Sequence, residues 1–334
     1  MEFSSSEKKK VLLLGQVNHA YEELKSLEDI AEIVKVTATN RDDFIKEAKS
    51  GAFNGVFAAY RTFVSFDITG KIDNEILEAL PKSFKFLCHV GAGYDQIDVH
   101  ACTTHSIRVS NVPTAVDNAT ADVNMFLILG ALRGFNIGMT GLRKGEWHGR
   151  AAGAPLAHDP EGKTLGILGM GGIGRALKKR TDAFDMKVIY HNRNQLPPHL
   201  EAGARYVSFD ELLAQSDVIS LNLPLNAHTK HIISTKEFEK MKDGVVIVNT
   251  ARGPIIDEDA LVKALDSGKV RSAGLDVFEN EPKVHPGLLA NDAVMLIPHM
   301  GTHTYEVKPI LVQAKNNLTD EKTDRNCYGD LGYG

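Results

Sequence analysis

The sequence predicts an α/β protein of two doubly wound domains, each a parallel sheet with helices on its faces. Three observations carry this. Short apolar runs alternate with helix-patterned stretches from about residue 10 to residue 300, the pattern of βα units. A chain of 334 residues exceeds one typical domain. In mid-chain, an apolar strand runs through the glycines Gly169-x-Gly171-x-x-Gly174 into a helix-forming segment, so a second βα series starts there.

In the first series, VLLLG, EIVKVTA, GVFAAY, FKFLCHV and IRVSNV read as strands. Residues 21–30, 41–48 and 74–80 place their apolar side chains at helical intervals. A long apolar helix follows in TADVNMFLILGALRG, with Thr120 and Asp122 as cap residues. It bridges to the second series. There TLGIL, MKVIYHNRN, RYVSF, DVISLNLP, VVIVNTA, RSAGLDVF and AVMLIPH read as strands, and helices are expected at 210–214, 235–241 and 257–267. The expected division is residues 1–118 plus 304–334 for a substrate domain and 119–303 for a dinucleotide-binding domain. Two chain crossings, near Asn118 and near Thr302, imply a hinge.

Composition narrows the classes. Hydrophobic residues at 43% and charged residues at 24% can build sizeable cores, and a net charge of −5 argues against nucleic acid as the main partner. Cys88, Cys102 and Cys327 are an odd number without metal-type spacing, which predicts a reducing compartment and no metal site. The N-terminus lacks a long apolar h-region and no 18-residue apolar run occurs, so a cytoplasmic protein without a membrane partner is expected.

The glycine motif predicts the first site. Gly169 permits a tight turn, Gly171 lets the backbone approach a pyrophosphate, and Gly174 lets the helix pack on its strand; the helix start then offers N–H groups to phosphate. About 20 residues on, where NAD-preferring sites carry an acid, the chain reads His191, Asn192, Arg193. A guanidinium pairs with a 2′-phosphate, so NADP(H) is expected, with NAD as the weaker cofactor.

Three further side chains stand after strands of the second series: Arg252, Glu281 and His299, spaced by 29 and 18 residues. Open α/β sheets place ligands at such strand ends. In the first series, Gly91, Ala92 and Gly93 of HVGAGYDQID form a small-residue loop whose N–H groups suit a carboxylate. An aromatic-rich loop from Tyr60 to Phe66 hints at an apolar or aromatic substrate side chain.

LGILGMGGIGRAL, NTARGPIIDEDAL, GLDVFENEP and PHMGTHT, with HVGAGYDQIDV ahead of them, resemble the signature segments of the D-isomer-specific 2-hydroxyacid dehydrogenase family, and within it the fungal NADPH-dependent 2-oxoacid (glyoxylate/hydroxypyruvate-type) reductases. The resemblance spans most of the chain and implies two Rossmann-like domains with an active-site cleft between them. It also implies reversible reduction of small 2-oxo acids to D-2-hydroxy acids. The chemistry suits the residues: Arg252 holds the carboxylate and polarises the carbonyl, His299 is the proton donor, and Glu281 fixes its tautomer. A carboxylate at 281 argues against the formate dehydrogenase branch, which has a neutral glutamine there.

The resemblance further implies that Gly172 and Ile173 meet the pyrophosphate, Leu223 and Pro224 the adenosine side, Thr250 and Ala251 the nicotinamide ribose, and Asp276 the carboxamide. It places Thr120 and Gly301 in the cofactor site and Tyr60 and Arg61 in the substrate loop. Residues 136–160, with Trp147, resemble the family's dimer arm, so a homodimer is expected, although Trp147 also reads as a packing anchor. The tail TDEKTDRNCYGDLGYG departs from the family and reads as disordered or weakly docked. The alternative is a dinucleotide-sensing scaffold resembling the C-terminal-binding corepressors. Its lack of a long regulatory tail and its cofactor turn weigh against that, and the absence of an extra regulatory domain weighs against a phosphoglycerate dehydrogenase.

Overall fold

The computed structural model describes residues 8–17, 21–147 and 155–307. The chain divides into two compact units, Met1–Ala115 with Thr304–Gly334, and Val116–His303. The unusual C-terminal tail, with Cys327, and residues 148–154 of the expected arm lie outside the described residues.

The first unit carries a five-stranded parallel sheet, β1 (Lys9–Leu14), β2 (Ala31–Lys35), β3 (Val56–Arg61), β4 (Phe86–His89) and β5 (Arg108–Ser110), in the order β2-β1-β3-β4-β5. Its five strands overlap the five apolar runs read from the sequence, with β1 starting two residues before VLLLG, β2 one residue before EIVKVTA, and β3 running one residue past GVFAAY to include Arg61. The helices Arg41–Lys49 and Asn74–Ala79 are capped by Asn40 and Asp73, whose side chains accept the N–H groups of Asp43 and Ile76. Phe44, Phe53, Ile72, Ile76 and Leu87 form the core beside the sheet. Cys88 and Cys102 are buried.

The second unit carries a seven-stranded parallel sheet: β6 (Thr164–Leu168), β7 (Lys187–His191), β8 (Arg205–Tyr206), β9 (Val218–Leu221), β10 (Val245–Asn249), β11 (Val270–Leu275) and β12 (Val294–Leu296). The order is β12-β11-β10-β9-β6-β7-β8. Every residue of β9 and β10 is buried, as expected of parallel strands covered on both faces. The chain reverses direction across the sheet between β6 and β9, the switch point where doubly wound sheets bind ligands. β8 is shorter than the run RYVSF because Ser208 leaves the strand to cap the helix Phe209–Gln215, with Glu211 returning the bond.

The long helix is Asp117–Arg133, three residues earlier than the predicted caps. Thr120 is buried in its first turns and Asp122 binds Arg180 at 2.6 Å, so neither caps it. Val116 is its N-cap and makes no side-chain bond. The helix is apolar nearly all round because it is packed against the sheet through Met125, Leu127, Ile128 and Ala131. It ends at Gly134, whose φ of 62° is left-handed, and the next helix, Phe135–Arg143, departs at 79°. Among the described residues no single helix is long and apolar enough to cross a membrane.

Candidate functional site

The glycine turn lies at the end of β6, at the switch point. Gly169 has φ +97°, and a Cβ there would meet the Asn222 carbonyl oxygen at 2.7 Å, because the chain leaving β9 passes against it. A Cβ on Gly174 would meet the Gly169 oxygen at 2.6 Å, which is the close helix–strand approach the motif predicts. Gly171 caps the helix Gly172–Thr181 without a side-chain bond, and nothing lies within 4 Å of where its Cβ would be. The first-turn N–H groups of Gly172, Ile173 and Gly174 therefore suit an anion such as a pyrophosphate. Asp117 stands beside Gly172; burial raises its pKa and the charge of Arg175 opposes that rise.

At the end of β7, His191 Nδ1 lies 2.9 Å from the Val207 oxygen and Asn192 Oδ1 accepts the Met170 N–H at 2.7 Å. Asn192 thus braces the glycine turn from outside, while Arg193 is exposed in the bend that follows. After β9, Leu223 packs on the core and the Pro224 carbonyl accepts the Thr229 hydroxyl at 2.6 Å.

Arg252 is positioned by the turn after β10. Asn249 Oδ1 accepts the Ala251 N–H at 3.0 Å, Asn249 Nδ2 donates to the Arg252 carbonyl at 2.9 Å, and Arg252 Nη1 donates to the Ala251 carbonyl at 2.7 Å. Gly253 is pressed against the Phe278–Glu279 backbone, leaving no room for a Cβ. Thr250 is buried and accepts Asn124 Nδ2 at 2.9 Å; Asn124 Oδ1 accepts the Ser220 hydroxyl at 3.0 Å, and Asn222 Nδ2 donates to Ser220 Oγ at 2.9 Å. This buried network ties the long helix to the ends of β9 and β10. The sequence reading did not find it, although a lone asparagine inside an apolar helix is the available signal.

His299 follows β12. Its φ of 49° is a left-handed conformation that a non-glycine residue rarely adopts, and the surrounding bonds over-determine it. The His299 N–H donates to the Asp276 carbonyl at 2.8 Å, while Asp276 Oδ1 and Oδ2 accept the N–H groups of Met300 (2.6 Å) and Gly301 (2.8 Å). Both carboxylate oxygens are thus engaged by the loop that presents His299. Burial raises the pKa of Asp276, and the hydrogen bond from Met300, the charge of His299 and the hydrogen bond from Gly301 only partly offset this. Thr120 lies against the same loop, its hydroxyl 3.4 Å from the Gly301 oxygen.

His299 Nδ1 stands 2.9 Å from Glu281 Oε2, and Glu281 Oε1 accepts the Phe278 N–H at 2.9 Å. A carboxylate only accepts, so Nδ1 carries the hydrogen and the tautomer is fixed. Burial alone would raise the pKa of Glu281, but the hydrogen bond and charge of His299, the Phe278 N–H and the charge of Arg252 hold it below the usual carboxylate range. Arg252, Glu281 and His299 therefore belong to one electrostatic group at the ends of β10, β11 and β12. Behind Glu281, the buried Glu258 accepts the Glu279 N–H at 2.8 Å and Glu279 contacts His231 Nε2 at 2.6 Å; the sequence reading missed this brace as well.

In the first unit the structure corrects one placement. Tyr60 and Arg61 are not in a loop after a strand: they are the last residues of β3, 8% and 0% exposed. Desolvation at that depth raises the pKa of Tyr60 and lowers that of Arg61. The Gly91–Ala92–Gly93 loop follows β4, and all three of its carbonyls are taken: Gly91 by the Val112 N–H (3.0 Å), Ala92 by Asn111 Nδ2 (2.8 Å) and Gly93 by His89 Nε2 (2.9 Å). Trp147 is 73% exposed, which overturns its reading as a packing anchor within the chain.

Residues 125–301 match the family described as D-isomer specific 2-hydroxyacid dehydrogenase, NAD binding domain, a span that holds the glycine turn and all three charged side chains. The chain is 56% identical to 4-methyl-2-oxopentanoate reductase A of Aspergillus oryzae over 308 residues, covering 92% of this chain and 93% of that protein. It is 50% identical to glyoxylate reductase 1 of Saccharomyces cerevisiae over 328 residues, covering 95% and 94%. The crystal structure of a glyoxylate reductase from Paecilomyes thermophila superposes with a TM-score of 0.90 at 56% identity, covering 94% of this chain and 96% of that one.

Proposed function

The chain belongs to the D-isomer-specific 2-hydroxyacid dehydrogenase family, and from that premise we propose that it reduces small 2-oxo acids to D-2-hydroxy acids with NADPH, reversibly. The observation that carries this reading is the His299 Nδ1–Glu281 Oε2 bond at 2.9 Å within the electrostatic reach of Arg252.

NADPH, when bound, supplies the hydride. The glycine turn fits its pyrophosphate, and Gly169, Gly171, Gly172, Ile173 and Gly174 would hold it. Thr250, Ala251, Thr120 and Gly301 would line the nicotinamide end and Leu223 and Pro224 the adenosine end. Asp276 orients the His299 loop and keeps lone pairs for a carboxamide. Arg252 binds the substrate carboxylate and draws electron density from the carbonyl, by charge-assisted bonds worth about 1.5–3 kcal/mol each. His299 donates its Nε2 proton to the carbonyl oxygen as negative charge develops there, and Glu281 stabilises the charged ring beforehand. In the reverse direction the neutral ring accepts the proton. The N–H groups of the Gly91–Gly93 loop suit a substrate carboxylate.

The preference for NADPH rests on Arg193 and on the lack of an acid at 191–193. A homodimer is supported by the exposed apolar side chains Phe126, Phe135, Met139, Leu142 and Trp147 on and after the two bent helices. The test is oxidation of NADPH, with NADH in parallel, against glyoxylate, hydroxypyruvate, phenylglyoxylate and branched 2-oxo acids, in wild type and Arg193→Ala. Turnover with NADPH favoured, and that preference lost by about tenfold in Arg193→Ala, is expected. Bound NADPH without turnover of any acid would replace the reductase with a sensing scaffold, and wild-type preference for NADH would remove the role given to Arg193.

A further inference from the structure

Arg61 is the largest fully buried side chain of the described residues, and it is a cation. Its Nη1 lies 3.1 Å from His89 Nδ1, its Nη2 donates to Gln96 Oε1 at 2.8 Å, and its Nε has no hydrogen-bond partner. Burial lowers its pKa to about 10, with the nearby charge of Asp95 acting the other way, so it remains charged at neutral pH. Burying a guanidinium with one N–H unsatisfied opposes folding. A side chain kept there against that cost has a task.

The bond to His89 shows which. An arginine has donors only, so His89 Nδ1 must be the bare, accepting nitrogen, and the ring is neutral with its hydrogen on Nε2. That Nε2–H then donates to the Gly93 carbonyl at 2.9 Å. A protonated ring, or the other tautomer, would set N–H against N–H at Arg61. The loop also lies directly on the ring, since a Cβ on Gly91 would meet His89 Nε2 at 2.9 Å. In a trans peptide the C=O and the next N–H point in opposite directions. With the carbonyls of Gly91, Ala92 and Gly93 turned toward Val112, Asn111 and His89, the N–H groups of Ala92, Gly93 and Tyr94 face the other way. None of those three has an acceptor among the described residues.

We propose that Arg61 and His89 are positioning residues for the substrate carboxylate: Arg61 locks His89 as the Nε2–H tautomer, and that N–H holds the Gly91–Gly93 loop with its amides turned toward an anion. The inference rests on the reductase reading, in which this loop receives the carboxylate. Neither side chain need touch substrate. Their effect passes through the backbone and therefore acts on binding rather than on proton transfer.

The test measures kcat and KM for glyoxylate and 4-methyl-2-oxopentanoate, NADPH affinity by fluorescence, and thermal stability, in Arg61→Met, Arg61→Lys, His89→Leu and His89→Gln. Arg61→Met and His89→Leu are expected to raise KM about ten- to hundredfold for both acids, with kcat within about threefold and NADPH affinity unchanged. Glutamine offers an acceptor and an N–H donor together, so His89→Gln is expected to recover most of the KM. Arg61→Lys keeps the charge and a donor for His89 and is expected to retain most of the wild-type KM, while His89→Leu keeps the test open should the methionine variant not fold. Unchanged KM in folded Arg61→Met or His89→Leu overturns the proposal, as does a fall in kcat alone. Oxalate binding by calorimetry separates the two readings. If the wild type turns over no acid yet binds oxalate with a dependence on Arg61 and His89, the reductase reading falls and the positioning role stands; if it binds none, both fall.

Discussion

The two units handle their polar site residues in opposite ways. In the second unit His299 and Glu281 have side chains 32% and 29% exposed, on loops beyond the strand ends. In the first unit Arg61 and His89 sit inside their strands, 0% and 2% exposed. The part-exposed groups are held from behind by Asp276, Asn249 and Glu258, as suits the proton exchange and ligand grip proposed for them. The sealed pair is proposed to act through the groups hydrogen-bonded to it, and so through the backbone of the Gly91–Gly93 loop. On the proposed reading the contrast divides labour, with proton transfer assigned to the second unit and the holding of backbone amides to Arg61 and His89 of the first.

The sharpest way to break that division is to compare the two arginines. Arg252→Ala and His299→Gln are expected to lower kcat/KM by about a hundred- to ten-thousandfold with NADPH affinity nearly intact, whereas Arg61→Met acts on KM. Steady-state kinetics with NADPH titrations decide it, and equal kcat losses in all three variants would erase the distinction. A smaller effect is expected from Asp276→Ala. It strips the buried Gly301 N–H and the part-buried Met300 N–H of their acceptor, which costs about 1–3 kcal/mol for the buried one and less for the other, and frees the His299 loop. Thermal unfolding and kcat should fall together, and loss of neither would show that the loop holds its left-handed residue unaided.

The smallest effect concerns pH. The pKa of Glu281 is held below its ordinary value of 4.5, so its charged form favours the folded state. That stabilisation is present above 4.5 and is lost as pH falls through the lowered value. Asp276 behaves in the opposite sense: burial raises its pKa, so protonation on acidification relieves a cost. Denaturant unfolding of wild type and Glu281→Gln below neutral pH should show the wild type losing its advantage in acid, by under about 1 kcal/mol because the pair is partly exposed.

Much of this was legible because strand ends announce themselves. Apolar runs stopping at Gly169, Arg252 or His299 locate both the sheet and the residues it presents. What stayed hidden depends on pairing between distant elements. Nothing in the order of residues joins Asn124 to Thr250, or Glu258 to Glu279. Arg61 escapes a reading of the sequence because a charged residue after an apolar run has the pattern of a loop start, and its burial is made tolerable by the distant partners His89 and Gln96. The long helix was read three residues late since Asp117, not a hydroxyl cap, opens it.

Asn192 couples two properties that could have been separate. Its Oδ1 steadies the glycine turn through Met170, one residue before the arginine proposed to choose between cofactors. Replacing it by a side chain without an acceptor would unsettle the turn, which closes most evolutionary routes through this position. Aspartate is the exception: it has the same shape, keeps the acceptor and adds the negative charge that repels a 2′-phosphate. On the proposed role of Arg193, Asn192→Asp is the substitution here that turns selection toward NADH while keeping the glycine turn.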